Sequence, residues 1–108
     1  MEKNYFNKIR ILDGGMGQEL LNRGVKPYGT IWGASALLHK KYHKTLVKTH
    51  LDFIKAGAEI IVTNSFGSRK RRLIENGLVK EFKNLNVLAG KLAKKAVEMS
   101  KKNVLIAG

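Results

Sequence analysis

The stretch HLDFIKAGAEIIVTNSFGS, residues 50–68, contains three local patterns in immediate succession. Its first part continues a helical apolar stripe that includes Leu51 and Ile54. Gly57 follows at the position of a helix-ending glycine. The apolar, β-branched run Ile60–Val62 then predicts a buried strand of the kind found in parallel sheets. A polar loop completes the stretch, so a helix, a strand and a loop are predicted in that order.

The same alternation of helix and strand patterns extends in both directions. The predicted strands are Ile9 to Asp13, Glu59 to Asn64 and Val104 to Ala107. The predicted helices are Met16 to Arg23, Tyr42 to Ala56, a short basic helix from Arg69 to Asn76, and Glu81 to Lys101. The longest helix carries an apolar face made of Phe82, Leu85, Ala89, Leu92, Ala93 and Ala96. Loops are predicted from Val25 to Ser35 and from Ser65 to Ser68. Strands that alternate with helices indicate parallel β-α-β units.

This element order predicts an α/β fold that corresponds to about the first three parallel strands of a (β/α)₈ TIM barrel, with their helices. A complete barrel takes about 250 residues, whereas this sequence has 108. We expect Val104 to Ala107 to be a central buried strand, and no residues follow that would cover it. Residues 1–108 are therefore interpreted as part of one larger barrel domain, either truncated or completed by another polypeptide. The alternative is a small open α/β sheet.

The composition excludes several classes of protein. The sequence contains no cysteine, which excludes disulfides and thiolate metal sites within it and is typical of a cytoplasmic protein. No segment approaches the roughly 20 apolar residues of a membrane span, so no membrane partner is predicted. Residues 1–8 form a polar segment, and we expect no signal peptide.

The net charge of +13 arises from 21 Lys and Arg against 8 Asp and Glu. Only Arg69 to Arg72 form a dense basic cluster. Aromatic residues are not interleaved with this cluster, so a base-stacking surface is not indicated. We interpret most of the charge as solvated helix faces and do not predict a nucleic-acid partner. The alternative is a small basic binding protein that holds nucleic acid or another polyanion through this cluster.

Polar residues and glycines follow two of the predicted strands. Asp13, Gly14 and Gly15 follow the first, and the loop from Thr63 to Ser68 follows the second. Ligands of parallel α/β folds bind at the carboxyl ends of strands. A carboxylate is suited to an ammonium group, and glycines allow close approach. The hydroxyls, the Asn64 amide and the exposed N–H groups of the second loop are suited to a carboxylate. Together the two loops predict a pocket for a zwitterionic amino acid; the alternative for each alone is an ordinary capped turn.

Other polar residues do not predict a metal site. His39 and His43 have the spacing of a two-histidine metal face, but the two lysines between them would repel a cation. His50 is expected to be partly buried with its hydrogen bonds satisfied. Glu19 lies in the first helix near the predicted strand end, where a solvated surface position is a simpler interpretation than a role in the site.

Four segments of the sequence resemble the homocysteine S-methyltransferase family, the homocysteine-binding barrels. They are LDGGMGQELLNRG at 12–24, WGASALL at 32–38, HLDFIKAGAEIIVTNSFGS at 50–68 and VLIAG at 104–108. The specific part of the resemblance is DGG-x-G-x-E-L combined with AGA-x-I-x-x-T-N followed by Ser or Thr. The resemblance covers nearly the whole sequence but less than half of a family barrel. Residues 1–108 are thus similar to the N-terminal part of a homocysteine-binding (β/α)₈ domain.

The resemblance implies transfer of a methyl group from a sulfonium, ammonium, cobalamin or folate-type donor to homocysteine, giving methionine. It implies that Asp13 receives the homocysteine ammonium, that Gly14 lets the substrate lie close to the chain, and that Ser65 helps to bind the carboxylate. Trp32 is implied to line the methyl-donor side, where an indole face suits a cationic donor. The alternative for Trp32 is a packing role over the barrel mouth. Zinc is expected in the intact family enzyme, where it would hold the thiol as a thiolate.

The sequence departs from the family pattern in two places. The family's zinc ligands are cysteines downstream of the part represented here, and this sequence contains none. Gly67 follows Phe66 where betaine-using members have a tyrosine, which favours sulfonium or folate donors. We therefore assign no catalytic residue and no metal ligand, and we predict that this polypeptide alone has no methyltransferase activity. In a further alternative, a split enzyme, a second chain would supply the missing barrel half and the zinc.

Overall fold

The computed structural model describes residues 3–108. Met1 and Glu2, with which the polar opening segment begins, lie outside the described residues. The helices are α1 (Met16–Asn22), α2 (Ser35–Leu38), α3 (His43–Lys55), α4 (Lys70–Glu75) and α5 (Phe82–Ser100). The strands are β1 (Ile60–Val62) and β2 (Leu105–Ala107). Single turns of 3₁₀-helix are Tyr5–Asn7, Trp32–Ala34, Lys40–Tyr42, Phe66–Ser68 and Val79–Glu81.

The two strands form a parallel sheet whose order follows the order of the chain. Ile61 of β1 is paired with Ile106 of β2. On the other side of β1, Leu12 forms an isolated parallel bridge with Ile60. The segment around Leu12, β1 and β2 therefore lie side by side in sequence order. This arrangement confirms the predicted α/β class with parallel pairing.

The segment Ile9–Asp13 is not the buried strand that its apolar residues predict. Its pairing is limited to the bridge at Leu12, and Ile9 is 95% exposed. The Ile11 N–H donates to the side chain of Glu59 at 3.3 Å rather than to a backbone carbonyl, which ends the ladder early. Within residues 3–108, only β1 flanks this segment, so its apolar side chains remain largely uncovered.

The last strand is present, but it is not central. β2 begins at Leu105, and the preceding Val104 is buried. Ile106 is 39% exposed, so the expected burial of this strand is wrong. Among the residues that the structure describes, β2 pairs with β1 alone, and its second edge has no partner strand.

The helices pack around a shared core whose buried residues come from all five of them. α3 and α5 lie against each other, and the small side chains Ala89, Ala93 and Ala96 on α5 are fully buried. A second, smaller cluster lies where the two helices meet β1 and consists of Ile54, Ala58, Ile61, Ala93 and Val104. Burial of a side chain such as Ile61 stabilises the fold by about 1.5–3 kcal/mol. The predicted face of α5 is confirmed except at Phe82, which is 39% exposed.

Two predicted helix ends are confirmed in their backbone geometry. Gly24 follows α1 with a φ of 95°, and Gly57 follows α3 with a φ of 116°. Such left-handed conformations disfavour residues with a Cβ. In each case the next N–H reaches back to the helix, from Val25 to Leu20 and from Ala58 to Phe53, both at 3.0 Å. These bonds turn the chain sharply, and after α3 they direct it into β1.

The loop predicted from Val25 to Ser35 contains helical structure that local patterns did not indicate. Its end forms the 3₁₀ turn Trp32–Ala34, which continues directly into α2. The segment from Ser65 to Ser68 likewise contains a 3₁₀ turn. Within residues 3–108, no helix combines the length and apolar character required to cross a bilayer.

Candidate functional site

A cleft of about 480 Å³ lies at the carboxyl end of β1. Four parts of the chain line it: residues 12–18, residues 30–34, the end of β1 with the following loop, and α4. Both loops that the sequence singles out therefore meet in one cavity. Asp13, Gly14 and Trp32 line the cleft, as do Thr63 and Asn64.

Asp13 is fixed at the end of the sheet by two hydrogen bonds to β1. Its own N–H donates to the Ile60 carbonyl at 3.0 Å, and its Oδ2 accepts from the Val62 N–H at 3.0 Å. Burial raises the pKa of Asp13, and the Val62 hydrogen bond opposes that rise. Asp13 takes part in none of the ion pairs within residues 3–108. The cleft thus contains a partly buried carboxylate without a cation.

Gly14 lies against an aromatic ring of α3. A Cβ on this residue would stand 3.0 Å from Cε1 of Phe53. A larger residue at position 14 would therefore push on the Phe53 ring as well as narrow the cleft. Gly15, by contrast, has open space around it and precedes the first residue of α1.

Trp32 has an unusual backbone conformation on the wall of the cleft. Its φ is 48°, in the left-handed region that bulky residues rarely adopt. The indole packs over Gly17, whose added Cβ would lie 3.5 Å from the ring, and the side chain is still 49% exposed. Such strained residues cluster at ligand sites. The structure therefore presents an aromatic surface to the cleft at some cost in backbone energy.

Asn64 holds the Trp32 turn to the end of β1. Its buried side chain donates from Nδ2 to the Gly33 carbonyl at 2.9 Å. Gly33 in turn lies so close to α1 that a Cβ would stand 2.8 Å from the Gly17 Cα. From the sequence, the Asn64 amide was a candidate for binding a ligand carboxylate. In the structure, its N–H group is used to position the wall of the cleft.

Ser65 lies behind the cleft rather than among the residues that line it. Its hydroxyl is 2.8 Å from the hydroxyl of Thr63, which does line the cleft. The Ser65 carbonyl accepts from the Ser68 N–H at 3.1 Å. Ser68 and Asn86 of α5 then exchange two hydrogen bonds of 3.0 Å each. The loop after β1 is thus fastened to α5.

Arg72 lines the cleft and was missed as a site residue by sequence reasoning. Its Nη1 donates to the Thr30 carbonyl at 3.0 Å. The only signal in the sequence was its place in the basic cluster Arg69 to Arg72, which suggested a polyanion site. The structure divides that cluster, since Arg71 pairs with Glu75 at 3.5 Å and Arg69 stacks over the Phe66 ring at 4.5 Å.

The histidines make contacts unrelated to a metal. Nε2 of His43 lies 2.9 Å from the Leu37 carbonyl, while the ring of His39 packs edge-on near Tyr28 and Tyr42. Among residues 3–108, no three potential metal ligands of the types His, Cys, Asp and Glu are grouped together. Because the sequence also contains no cysteine, the residues present do not fit a zinc site.

His50 differs from its sequence prediction. It is fully buried, and neither ring nitrogen has a hydrogen-bond partner. Burial lowers the pKa of His50 to about 4. The expectation of a partly buried, satisfied histidine is therefore wrong, because helical spacing does not reveal what surrounds the ring. Glu19 pairs with Arg23 at 3.0 Å on α1, in keeping with its interpretation as a surface residue.

Comparisons with known proteins agree on one family. A family model described as homocysteine S-methyltransferase matches residues 10–108. Homocysteine S-methyltransferase 2 of Saccharomyces cerevisiae is 29% identical over 93 residues, which cover 79% of this chain and 29% of that protein. Homocysteine S-methyltransferase 3 of Zea mays is 33% identical over 90 residues, covering 82% and 26%. Homocysteine S-methyltransferase 3 of Arabidopsis thaliana is 34% identical over 76 residues, covering 69% and 21%. The chain thus spans less than a third of the length of these relatives.

Proposed function

Because the chain belongs to the homocysteine S-methyltransferase family, we propose that it forms the amino-acid end of a site where homocysteine is methylated to methionine. The observation that carries this proposal is the cleft at the end of β1, which holds Asp13 without a cation. In the reaction, the homocysteine thiol gives up its proton to solvent, and its sulfur bonds to the donor's methyl carbon. The bond between that carbon and the donor's sulfur or nitrogen breaks, and the leaving group keeps the electron pair.

In this proposal Asp13 binds the homocysteine ammonium. The Val62 N–H fixes one carboxylate oxygen at 3.0 Å, which leaves the other oxygen free to face a ligand. A charge-assisted hydrogen bond in a partly buried site is stronger than one in water. Gly14 follows directly, and its missing side chain lets the substrate approach the backbone.

The carboxylate and the donor are assigned to different residues of the cleft lining. Ser65 supports the carboxylate subsite through Thr63, because the two hydroxyls are 2.8 Å apart and Thr63 lines the cleft. Trp32 lines the methyl-donor side. A half-exposed indole attracts a sulfonium or quaternary ammonium donor through its π face, whereas a folate-type donor would stack on it.

The proposal extends to the fold. Residues 3–108 correspond to the first part of a (β/α)₈ barrel, completed by strands from outside this sequence. The strands follow chain order, and α3 and α5 pack against each other on one face of the sheet, as successive helices of a barrel do. The open edge of β2 is where the next strand would pair. We also propose a cytoplasmic location, because a sequence without cysteine is typical of proteins in a reducing compartment.

The proposed binding site can be tested on the chain as it stands. Trp32 is the single tryptophan and lines the cleft, so its fluorescence reports on occupancy. Homocysteine is expected to change the emission saturably. The analogue 4-sulfanylbutanoate retains the thiol and the carboxylate but lacks the ammonium, and it is expected to bind much more weakly. Absence of a saturable response to homocysteine, or equal binding of both compounds, would contradict the assignment of Asp13.

Catalysis needs a separate measurement. The residues that the structure describes do not fit a zinc site, and the sequence contains no cysteine. The purified chain, incubated with homocysteine, S-methylmethionine and added zinc, is expected to form no methionine. Formation of methionine under these conditions would overturn the prediction that the chain alone is inactive.

A further inference from the structure

The cleft contains two charged side chains of opposite sign, Asp13 and Arg72. Neither takes part in any ion pair within residues 3–108. Their neighbours behave differently, since Arg10 pairs with Glu59 at 3.0 Å and Arg71 pairs with Glu75. Two unpaired, opposite charges in one cavity are complementary to a molecule that carries both signs.

Arg72 is held in place by a braced backbone segment. Its Nη1 donates to the Thr30 carbonyl at 3.0 Å. Asn76 fixes the same residue twice, because its Oδ1 accepts from the Thr30 N–H at 3.0 Å and its Nδ2 donates to the Thr30 hydroxyl at 2.8 Å. A guanidinium has five N–H donors in a rigid fork. One of them reaches Thr30, and the guanidinium makes no other hydrogen bond within residues 3–108.

We propose that Arg72 binds the carboxylate of an α-amino-acid ligand whose ammonium is held by Asp13. This inference rests on the proposed function and names a further residue that selects for an amino-acid substrate. An arginine fork matches a carboxylate in a bidentate manner, which a serine or threonine hydroxyl does not. The Thr63 hydroxyl then supplies a secondary contact, supported from behind by the Ser65 hydroxyl at 2.8 Å. The amino-acid carboxylate belongs either to homocysteine or to a donor such as S-methylmethionine.

The test compares ligands with and without a carboxylate. Homocysteine and 3-aminopropane-1-thiol share the thiol and the ammonium, but only homocysteine carries the carboxylate. In the full chain, Arg72→Gln is expected to weaken homocysteine binding about tenfold to a hundredfold, the range for a lost hydrogen bond between charged groups. Binding of 3-aminopropane-1-thiol is expected to stay within about twofold of wild type, since that compound has no group for Arg72 to bind.

Matched variants separate a direct contact from a loss of charge or of structure. Arg71→Gln removes the same charge from the same helix at a residue that is outside the cleft lining, and it is expected to bind homocysteine like wild type. Asn76→Ala loosens Thr30, and with it the position of Arg72, without changing the charge. It is expected to weaken homocysteine binding less than Arg72→Gln does and to leave 3-aminopropane-1-thiol binding near wild type. A loss in Arg72→Gln that is equal for both ligands would overturn the inference.

A third ligand, S-methylmethionine, shows whether Arg72 binds the carboxylate of the methyl donor or that of homocysteine. A selective loss with S-methylmethionine, and none with homocysteine, assigns the Arg72 contact to the donor; the reverse assigns it to the acceptor. If wild type binds homocysteine and Arg72→Gln binds every ligand as tightly as wild type does, the inference about Arg72 is wrong but the proposed function still stands. If wild type binds neither homocysteine nor 3-aminopropane-1-thiol, the proposed function fails together with it.

Discussion

Asn64 donates its side-chain N–H to the Gly33 carbonyl at 2.9 Å and so joins the end of β1 to the turn that carries Trp32. The two residues are 31 positions apart in the sequence. The amide is buried, so the bond is shielded from water. The wall of the cleft is therefore held by the residue that directly precedes the Ser65 loop.

Replacement of this amide should destabilise the protein. Asn64→Ala leaves the buried Gly33 carbonyl without its donor, which is expected to lower the free energy of unfolding by about 1–3 kcal/mol. Urea denaturation followed by Trp32 fluorescence measures the change. The matched variant Asn84→Ala alters an exposed residue of α5 and should stay within about 0.5 kcal/mol of wild type. Equal stability of Asn64→Ala and wild type would show that water replaces the bond without loss.

Gly67 is expected to accept no side chain. An added Cβ would collide with the Ile31 carbonyl oxygen, so Gly67→Ala must shift one of two backbone segments that line the cleft. We expect a loss of about 1–3 kcal/mol in unfolding free energy. Gly90→Ala is the matched control with the opposite sign, because the site in α5 is open and alanine favours a helix by about 0.5–1 kcal/mol. If both variants are destabilised, or neither is, the predicted collision at Gly67 is not the cause of the change in stability.

The buried His50 should make stability depend on pH. Its folded pKa of about 4 lies below the ordinary value of 6.5, so the unfolded state binds the proton more readily. The stability is then fully present above about pH 6.5 and falls as the pH drops toward 4. Between about pH 7.5 and pH 5 this effect amounts to about 2 kcal/mol.

Substitution isolates the contribution of His50 from that of other groups. His50→Leu removes the titrating ring together with two buried nitrogens that lack partners, so the pH dependence in this range should flatten without loss at neutral pH. His39→Gln changes an exposed ring and should keep the wild-type dependence. Urea midpoints measured across the pH range compare the three proteins. Retention of the full slope in His50→Leu would assign it to other residues.

Asp13→Asn should separate binding from stability. The amide oxygen can still accept from the Val62 N–H, and the burial that raises the pKa of Asp13 no longer opposes a charge. We expect at least wild-type stability at neutral pH and a loss of about tenfold or more in homocysteine affinity. In wild type, affinity should also fall as acidification protonates Asp13.

The other aspartate of the sequence is the control for this variant. Asp52 pairs with Arg23 at 2.8 Å and Lys48 at 2.7 Å, away from the cleft. Asp52→Asn is expected to lose about 1 kcal/mol of stability, as for ion pairs near the protein surface, and to keep its affinity for homocysteine. Calorimetric titration and urea denaturation on both variants give the two readouts. Similar affinity losses in both would remove Asp13 from the site.

Local pattern predicted the parts of this fold that depend on nearby residues. The apolar stripes of α3 and α5, the β-branched run of β1 and the glycine after α3 were all readable from the sequence. The burial of Ile9 and Ile106 was not, because it depends on neighbouring strands rather than on the residues themselves. The same holds for His50, whose surroundings are set by distant elements.

The sequence predicted which loops form the candidate site, but not which hydrogen bonds its residues make. The expectation that Asp13 and the loop after β1 meet was correct, since parallel strands place their carboxyl ends together. The sequence predicted a ligand contact for the Asn64 amide and a polyanion site for Arg72. It did not reveal their hydrogen bonds to Gly33 and Thr30, because these partners lie 31 and 42 residues away. Whether a polar side chain is already hydrogen-bonded within the protein depends on residues far away in the sequence.

The sheet also has a consequence for how the chain folds. Every pairing in it spans a whole helical crossover, and Val62 and Asp13, which join the first segment to β1, are 49 residues apart. Closing loops of this length costs chain entropy before any sheet contact compensates for it. The helices, whose bonds are local, are expected to form first, and the carboxylate of Asp13 reaches its place only when the slowest contacts close. The binding cleft is therefore among the last parts of the molecule to exist.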